Sequence, residues 1–166
     1  MSLIVAKKLA DLKEQFDQLD KEVAAKFEEI RSDIRAEIKS EFISYMEAQS
    51  FLIHAAAGLI SASYKDLTVV LIFSSEPMMG SFDYLNVLVD GKPRDIFVVA
   101  EFSGIDRPSL LEDPDPVRSL EMKIDSLKAA KQNMSLDSYS FIYAPAGSRH
   151  PAATLVELLD MVLAVK

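Results

Sequence analysis

Apolar residues recur at helical spacing through the first 47 residues of the chain. From Leu9 to Tyr45 they advance by three or four positions at a time, covering 36 residues in ten steps, a mean of 3.6. No Pro or Gly interrupts the stretch, so the pattern predicts one long helix with a single apolar stripe. The stripe consists of Val5, Leu9, Leu12, Phe16, Leu19, Val23, Phe27, Ile30, Ile34, Ile38, Phe42 and Tyr45.

A helix of this length cannot bury its own stripe, so it needs a partner surface. A second copy of the same helix is the simplest such partner. We therefore predict that residues 1–47 form a coiled-coil oligomerisation helix, and that the protein self-associates through residues 5–45. The mean period favours a nearly straight helix over a tight left-handed supercoil.

Residues from Ala48 to Tyr64 are mostly apolar and form a run of seventeen that lacks Asp, Glu, Lys and Arg. It contains several polar residues and falls short of the roughly 20 apolar residues that a membrane span requires. The run predicts a buried core helix that continues the first one, with no membrane partner, and places His54 in the core or at an interface.

The remainder, taken as one domain over residues 48–166, alternates strands and helices. Short β-branched runs bounded by turn residues predict four strands, and Asp115-Pro116 is typical of a helix N-cap followed by its first residue. The expected class is α/β (α+β), an α-β-β-β-α-β-α domain with a four-stranded mixed sheet. The strands are predicted at 67–73, 82–89, 94–103 and 138–144, and the helices after the third strand at 116 to about 132 and 152–165.

The amino-acid composition excludes several kinds of functional site. None of the 166 residues is Cys, which excludes disulfides and thiol chemistry and favours a cytoplasmic protein. The net charge of −8 argues against a broad nucleic-acid surface. The two His have no metal-ligand spacing, and neither a Gly-rich phosphate loop nor a nucleophile elbow is present.

One carboxylate, Glu101, stands inside the apolar third strand, where an unpaired charge is unfavourable. If the preceding loop runs from Asp90 to Arg94, Asp83 of the second strand lies directly opposite Glu101. Two acids on one sheet face repel each other unless a cation or a proton joins them. The alternative is that Glu101 projects into solvent at the strand end and Asp83 caps the loop beginning at Gly80.

The element order, the Asp on the second strand and the Glu on the third resemble the PD-(D/E)XK nuclease superfamily over about residues 42–145. The resemblance implies a restriction-endonuclease-like fold and a DNA substrate, with Asp83 and Glu101 as catalytic Mg²⁺ ligands. The family's Lys, two residues after the Glu, is replaced here by Ser103, which cannot supply its charge. Lys123 or Lys128 on the following helix would have to replace it, and Lys123 is the catalytic candidate.

Two functions follow as hypotheses. In the first, the protein is an oligomeric coiled-coil scaffold whose degenerate nuclease-like domain binds a partner. In the second, it is a Mg²⁺-dependent DNA endonuclease that uses Asp83, Glu101 and a displaced Lys.

Overall fold

The computed structural model describes residues 1–56, 58–75, 82–102, 113–135, 137 and 139–164. The fold is mixed α+β, with a long N-terminal helix followed by a sheet that is antiparallel from its first strand to its fifth. The elements are α1 Leu3–Ala48, β1 Leu52–Ala56, β2 Leu59–Tyr64, β3 Leu67–Phe73, β4 Asp83–Val89, β5 Lys92–Phe102, α2 Pro116–Asn133, β6 Tyr139–Pro145 and α3 Leu155–Leu163.

The sheet has six strands in the order β1-β2-β3-β4-β5-β6, so the prediction of four strands is wrong. The two additional strands, β1 and β2, occupy the uncharged run that was predicted to be a buried helix. Four of the five β1 residues, including His54, are exposed rather than in a core. Among the described residues, no helix is both long and apolar enough to cross a membrane.

The helix ends at the start of this run because Ser50 adopts the left-handed conformation, with φ 66°. The N–H of Phe51 donates to the carbonyl of Met46 at 3.0 Å, and that of Ser50 to the carbonyl of Glu47 at 2.9 Å. This is the Schellman pattern of helix termination. Gly usually fills the left-handed position, so Ser50 gives almost no sequence signal of the helix end.

Two tight turns fix the registers of the central strands. Lys65 has φ 51°, and Asp90 and Gly91 have φ 49° and 76°. Positive φ at such positions is typical of two-residue hairpins. The second turn is shorter than the predicted 90–94 loop, so Val89 pairs with Lys92 instead of Asp95.

The core lies on the sheet face that carries alternate residues of β2 to β5. Its strand residues are Ile60, Ala62, Val69, Leu71, Leu85, Val87, Ile96 and Val98, all buried. Helical residues are buried with them, on α1 (Ile34, Ile38, Phe42, Met46) and α3 (Leu155, Leu158, Leu159). The second half of the predicted α1 stripe is therefore a core element of the sheet domain.

The chain forms two compact units. One comprises residues 1–32 and 102–138, and the other residues 33–101 and 139–166. In the first unit, α1 is tied to α2 by ion pairs from Lys8 to Glu121 at 2.8 Å and from Lys131 to Glu22 at 2.6 Å. The charged side of α1 thus has an intramolecular neighbour in this unit, while Leu12, Phe16 and other stripe residues stay partly exposed.

Candidate functional site

The buried acid of the sheet domain is Asp83, the first residue of β4. Its side chain has no exposed surface, and it is the one polar or charged residue among the described residues that is buried in the core. Arg35 of α1 holds it through two short contacts, Nε to Oδ2 and Nη2 to Oδ1, both at 2.6 Å. A two-pronged contact of this kind is the strongest form of a charge-assisted hydrogen bond.

The remaining groups around the pair complete its hydrogen bonding. The backbone N–H of Tyr84 donates to Asp83 Oδ1 at 2.8 Å, and Arg35 Nη2 donates to the Ser74 carbonyl at 2.8 Å. The Arg35 guanidinium also lies 5.0 Å from the centre of the Phe73 ring. Each oxygen of the Asp83 carboxylate therefore accepts at least one hydrogen bond from a group of the protein itself.

Arg35 and Lys39 reach this region because they lie one turn apart on α1, beside the buried stripe residues Ile34 and Ile38. Lys39 Nζ is 5.5 Å from the Phe73 ring centre on β3. Sequence reasoning found the acid but missed Arg35, its partner 48 residues earlier. Its position beside the stripe residue Ile34 did not distinguish it from the other basic residues of α1.

The predicted opposition of Asp83 and Glu101 is wrong. Asp83 pairs with Val98, and the paired β5 positions that share its sheet face are Lys92, Arg94, Ile96 and Val98. The register differs from the expected one by three positions because of the tight Asp90-Gly91 turn. Glu101 belongs to β5 by its backbone, and its side chain lies outside the described part of the chain.

The other predicted site residues are not brought to Asp83 by any described contact. Lys123 and Lys128 are exposed residues of α2, in the first compact unit, whereas Asp83 is in the second. The predicted lysine-equivalent position, Ser103, lies outside the described residues. Within the described ranges, no group of three or more His, Asp or Glu side chains could hold a metal ion.

A groove that the sequence did not predict lies between the end of α1, the β2–β3 hairpin and α3. Its volume is about 570 Å³, which is within the range of small-molecule sites. Tyr45, Phe51 and Tyr64 line it, and Asp160 is the charged residue among its lining side chains. Such a lining suits an apolar molecule with a positive group, because aromatic faces and a carboxylate both attract cations.

Two tyrosines of the second compact unit, Tyr45 and Tyr143, have raised pKa values. Partial burial raises the pKa of Tyr45 to about 12, helped by the hydrogen bond from its hydroxyl to Asp160 Oδ1 at 2.6 Å. Burial likewise raises the pKa of Tyr143 on β6 to about 12, with further contributions from the negative charges of Glu41 and Glu37. Both side chains are therefore neutral at physiological pH, and neither is activated as a base.

Comparisons with known proteins identify no relative: no protein-family model, curated protein or solved structure matches this chain.

Proposed function

We propose that the protein is a non-enzymatic, self-associating scaffold or binding module, in which the nuclease-like α/β domain holds no working metal centre. The observation that carries this proposal is the two-pronged contact between Arg35 and Asp83. The cation that the acid requires is supplied by the protein itself, from the helix that also bears the apolar stripe.

The geometry of the pair opposes the alternative of a Mg²⁺-dependent endonuclease. Mg²⁺ binds carboxylate oxygen at about 2.0–2.1 Å and requires near-octahedral space around it. At Asp83, both oxygens already accept hydrogen bonds and the side chain is fully buried. A metal ion would have to displace Arg35 and leave its guanidinium next to a second positive charge.

Self-association through α1 is supported by the apolar surface that the described part of the first unit leaves open. Stripe residues Leu9, Leu12 and Phe16 are only half-buried. At the start of the helix, Leu3 and Ile4 are 87% and 82% exposed. A second copy of the helix would cover this surface in the way that paired helices bury their stripes.

The metal question is tested by adding Mg²⁺ or Mn²⁺ and measuring both DNA cleavage and the melting temperature. We expect no cleavage and no stabilisation, because an ion that does not bind the folded state cannot raise its stability. Metal-dependent cleavage that is lost in Asp83→Asn and Glu101→Ala would overturn the proposal. Asp125→Asn, an exposed acid of α2, is the matched control and should behave as wild type.

The self-association is tested by light scattering after size-exclusion chromatography at micromolar concentration. We expect an oligomer for the wild type and a smaller species for Leu12→Lys, since a charge on the stripe opposes burial against a second copy. Gln15→Lys adds the same charge on the exposed face and should leave the mass unchanged. Circular dichroism checks that each variant keeps its helix content. A monomeric wild type would refute this part of the proposal.

A further inference from the structure

Within the part of the chain that the structure describes, the first strand of the sheet has an open edge. β1 is the terminal strand of the sheet, and among the described strands it pairs only with β2. Four of its five residues are exposed, and Leu52 keeps 69% of its surface accessible. Natural edge strands are usually protected by charges, Pro or a bulge. The β1 sequence, Leu52–Ala56, contains neither a charge nor a Pro.

The alternation of hydrogen bonds fixes which groups of β1 lie on that open edge. The Thr68 carbonyl of β3 accepts from the residue that follows β4, so the next residue, Val69, bonds in the other direction, to Ala62 of β2. Ala62 then has no backbone groups left for its β1 partner, which is Ile53. The N–H and C=O groups of Ile53, and by the same alternation those of Ala55, therefore point away from the sheet.

Two donors and two acceptors, placed evenly about His54, make the edge complementary to itself. An antiparallel copy of β1 centred on His54 would match Ile53 with Ala55 of the second chain, and Ala55 with its Ile53. Both pairs would be of the hydrogen-bonded type, giving four backbone hydrogen bonds. A two-fold axis requires this self-complementary arrangement.

Charge also favours a second copy as the occupant. The chain carries a net charge of −8, but none of it lies between Ala48 and Tyr64. The β1–β2 hairpin is thus a surface where two copies can approach without facing like charges. Leu52, the most exposed apolar residue of the hairpin, would lie opposite Ala56 of the other chain and be partly covered.

We propose that β1 pairs antiparallel with β1 of a second copy, about a two-fold axis at His54, and so joins two six-stranded sheets into one of twelve strands. This is a contact separate from the α1 stripe, and the two can exist independently. The recognition is of the strand-addition type, in which backbone hydrogen bonds supply the affinity. The side chains of β1 are uncharged, so they do not repel those of an identical strand.

The test uses charge reversal at the axis, where the two His54 side chains face each other in the closely spaced, non-hydrogen-bonded pair. His54→Lys alone and His54→Glu alone should each weaken dimerisation by about tenfold, because like charges then stand in opposition. An equimolar mixture should regain the association as a heterodimer, measured by sedimentation and native mass spectrometry. Unchanged mass in both single variants, or no recovery in the mixture, would overturn the proposal.

Two controls separate this contact from other causes. Thr68→Lys adds the same charge to an exposed residue two strands further into the sheet and should not affect association. Ala55→Pro removes an outward N–H without removing a bond to β2, and should weaken the dimer while the circular dichroism spectrum is kept. If Leu12→Lys leaves the mass unchanged while the His54 variants lower it, the β1 contact stands and the α1 proposal fails. The reverse result refutes the β1 contact alone.

Discussion

At the scale of single residues, the Arg35–Asp83 pair shows how a buried charge is accommodated. Asp83 is fully buried while the Arg35 side chain keeps 26% of its surface exposed. Transferring a carboxylate out of water is unfavourable, and the bound guanidinium offsets that penalty only while both partners are present. The pair therefore fixes the start of β4 against α1. Removing Arg35 alone would leave the buried Asp83 carboxylate without a counter-charge.

We expect Arg35→Met to lower the free energy of unfolding by about 3 kcal/mol, because Asp83 would then be buried without a counter-charge. Urea denaturation measures the change. The double variant Arg35→Met with Asp83→Leu should recover most of the loss, since the buried charge is gone as well. Arg94→Met removes an exposed Arg from β5 and should change stability by no more than about 0.5 kcal/mol. If Arg35→Met alone proved as stable as the double variant, the buried charge would not be the cause of the loss.

Asp83 and Arg35 also show how much of the site the sequence could predict. Asp83 was singled out from the sequence, but as a metal ligand opposite Glu101 and not as the partner of a basic residue on α1. Its partner was not visible, since Arg35 lies in a charge-rich helix where many basic residues are solvated. Sequence spacing carries no information on which of them faces the sheet until the crossing of helix and sheet is known.

At the scale of elements, the periodicity of α1 was the most reliable signal. The stripe spacing predicted one continuous helix, and the strands from β3 to β5 were expected close to their observed positions. The stripe was expected to face a second copy, whereas its second half is buried in the sheet domain. The β1–β2 hairpin was missed because an uncharged run of Ala, Ser, Leu and Ile fits a buried helix as well as two strands. The register of β4 and β5 was missed although Asp-Gly is a strong hairpin signal.

The contact between the end of α1 and α3 predicts a pH dependence. The pKa of Tyr45 is about 12 in the folded protein and near 10 when the chain is unfolded. A raised tyrosine pKa favours the neutral, folded form, so its stabilisation is complete below pH 10 and is lost as the pH rises to about 12. The free energy of unfolding should therefore fall more steeply for wild type than for Tyr45→Phe between these values. Parallel curves would contradict the assignment.

At the scale of the whole molecule, the two compact units are each assembled from separate stretches of chain. The backbone passes between them near residues 32, 101 and 138. α1 contributes its first part to one unit and its second part to the other, so it is a shared component of both cores. A fragment cut at residue 47, the domain boundary that the sequence suggested, would remove core residues such as Ile38 and Phe42 from the sheet.

This arrangement has a consequence for synthesis on the ribosome. The first part of α1 emerges early, but α2, its neighbour in the same unit, begins only at Pro116. At elongation rates of about 5–20 residues per second, the nascent stripe waits on the order of 5–20 seconds for α2. Throughout that interval, neighbouring nascent chains on one messenger expose the same uncovered helix to each other. Two such helices can therefore associate while both chains are still being translated.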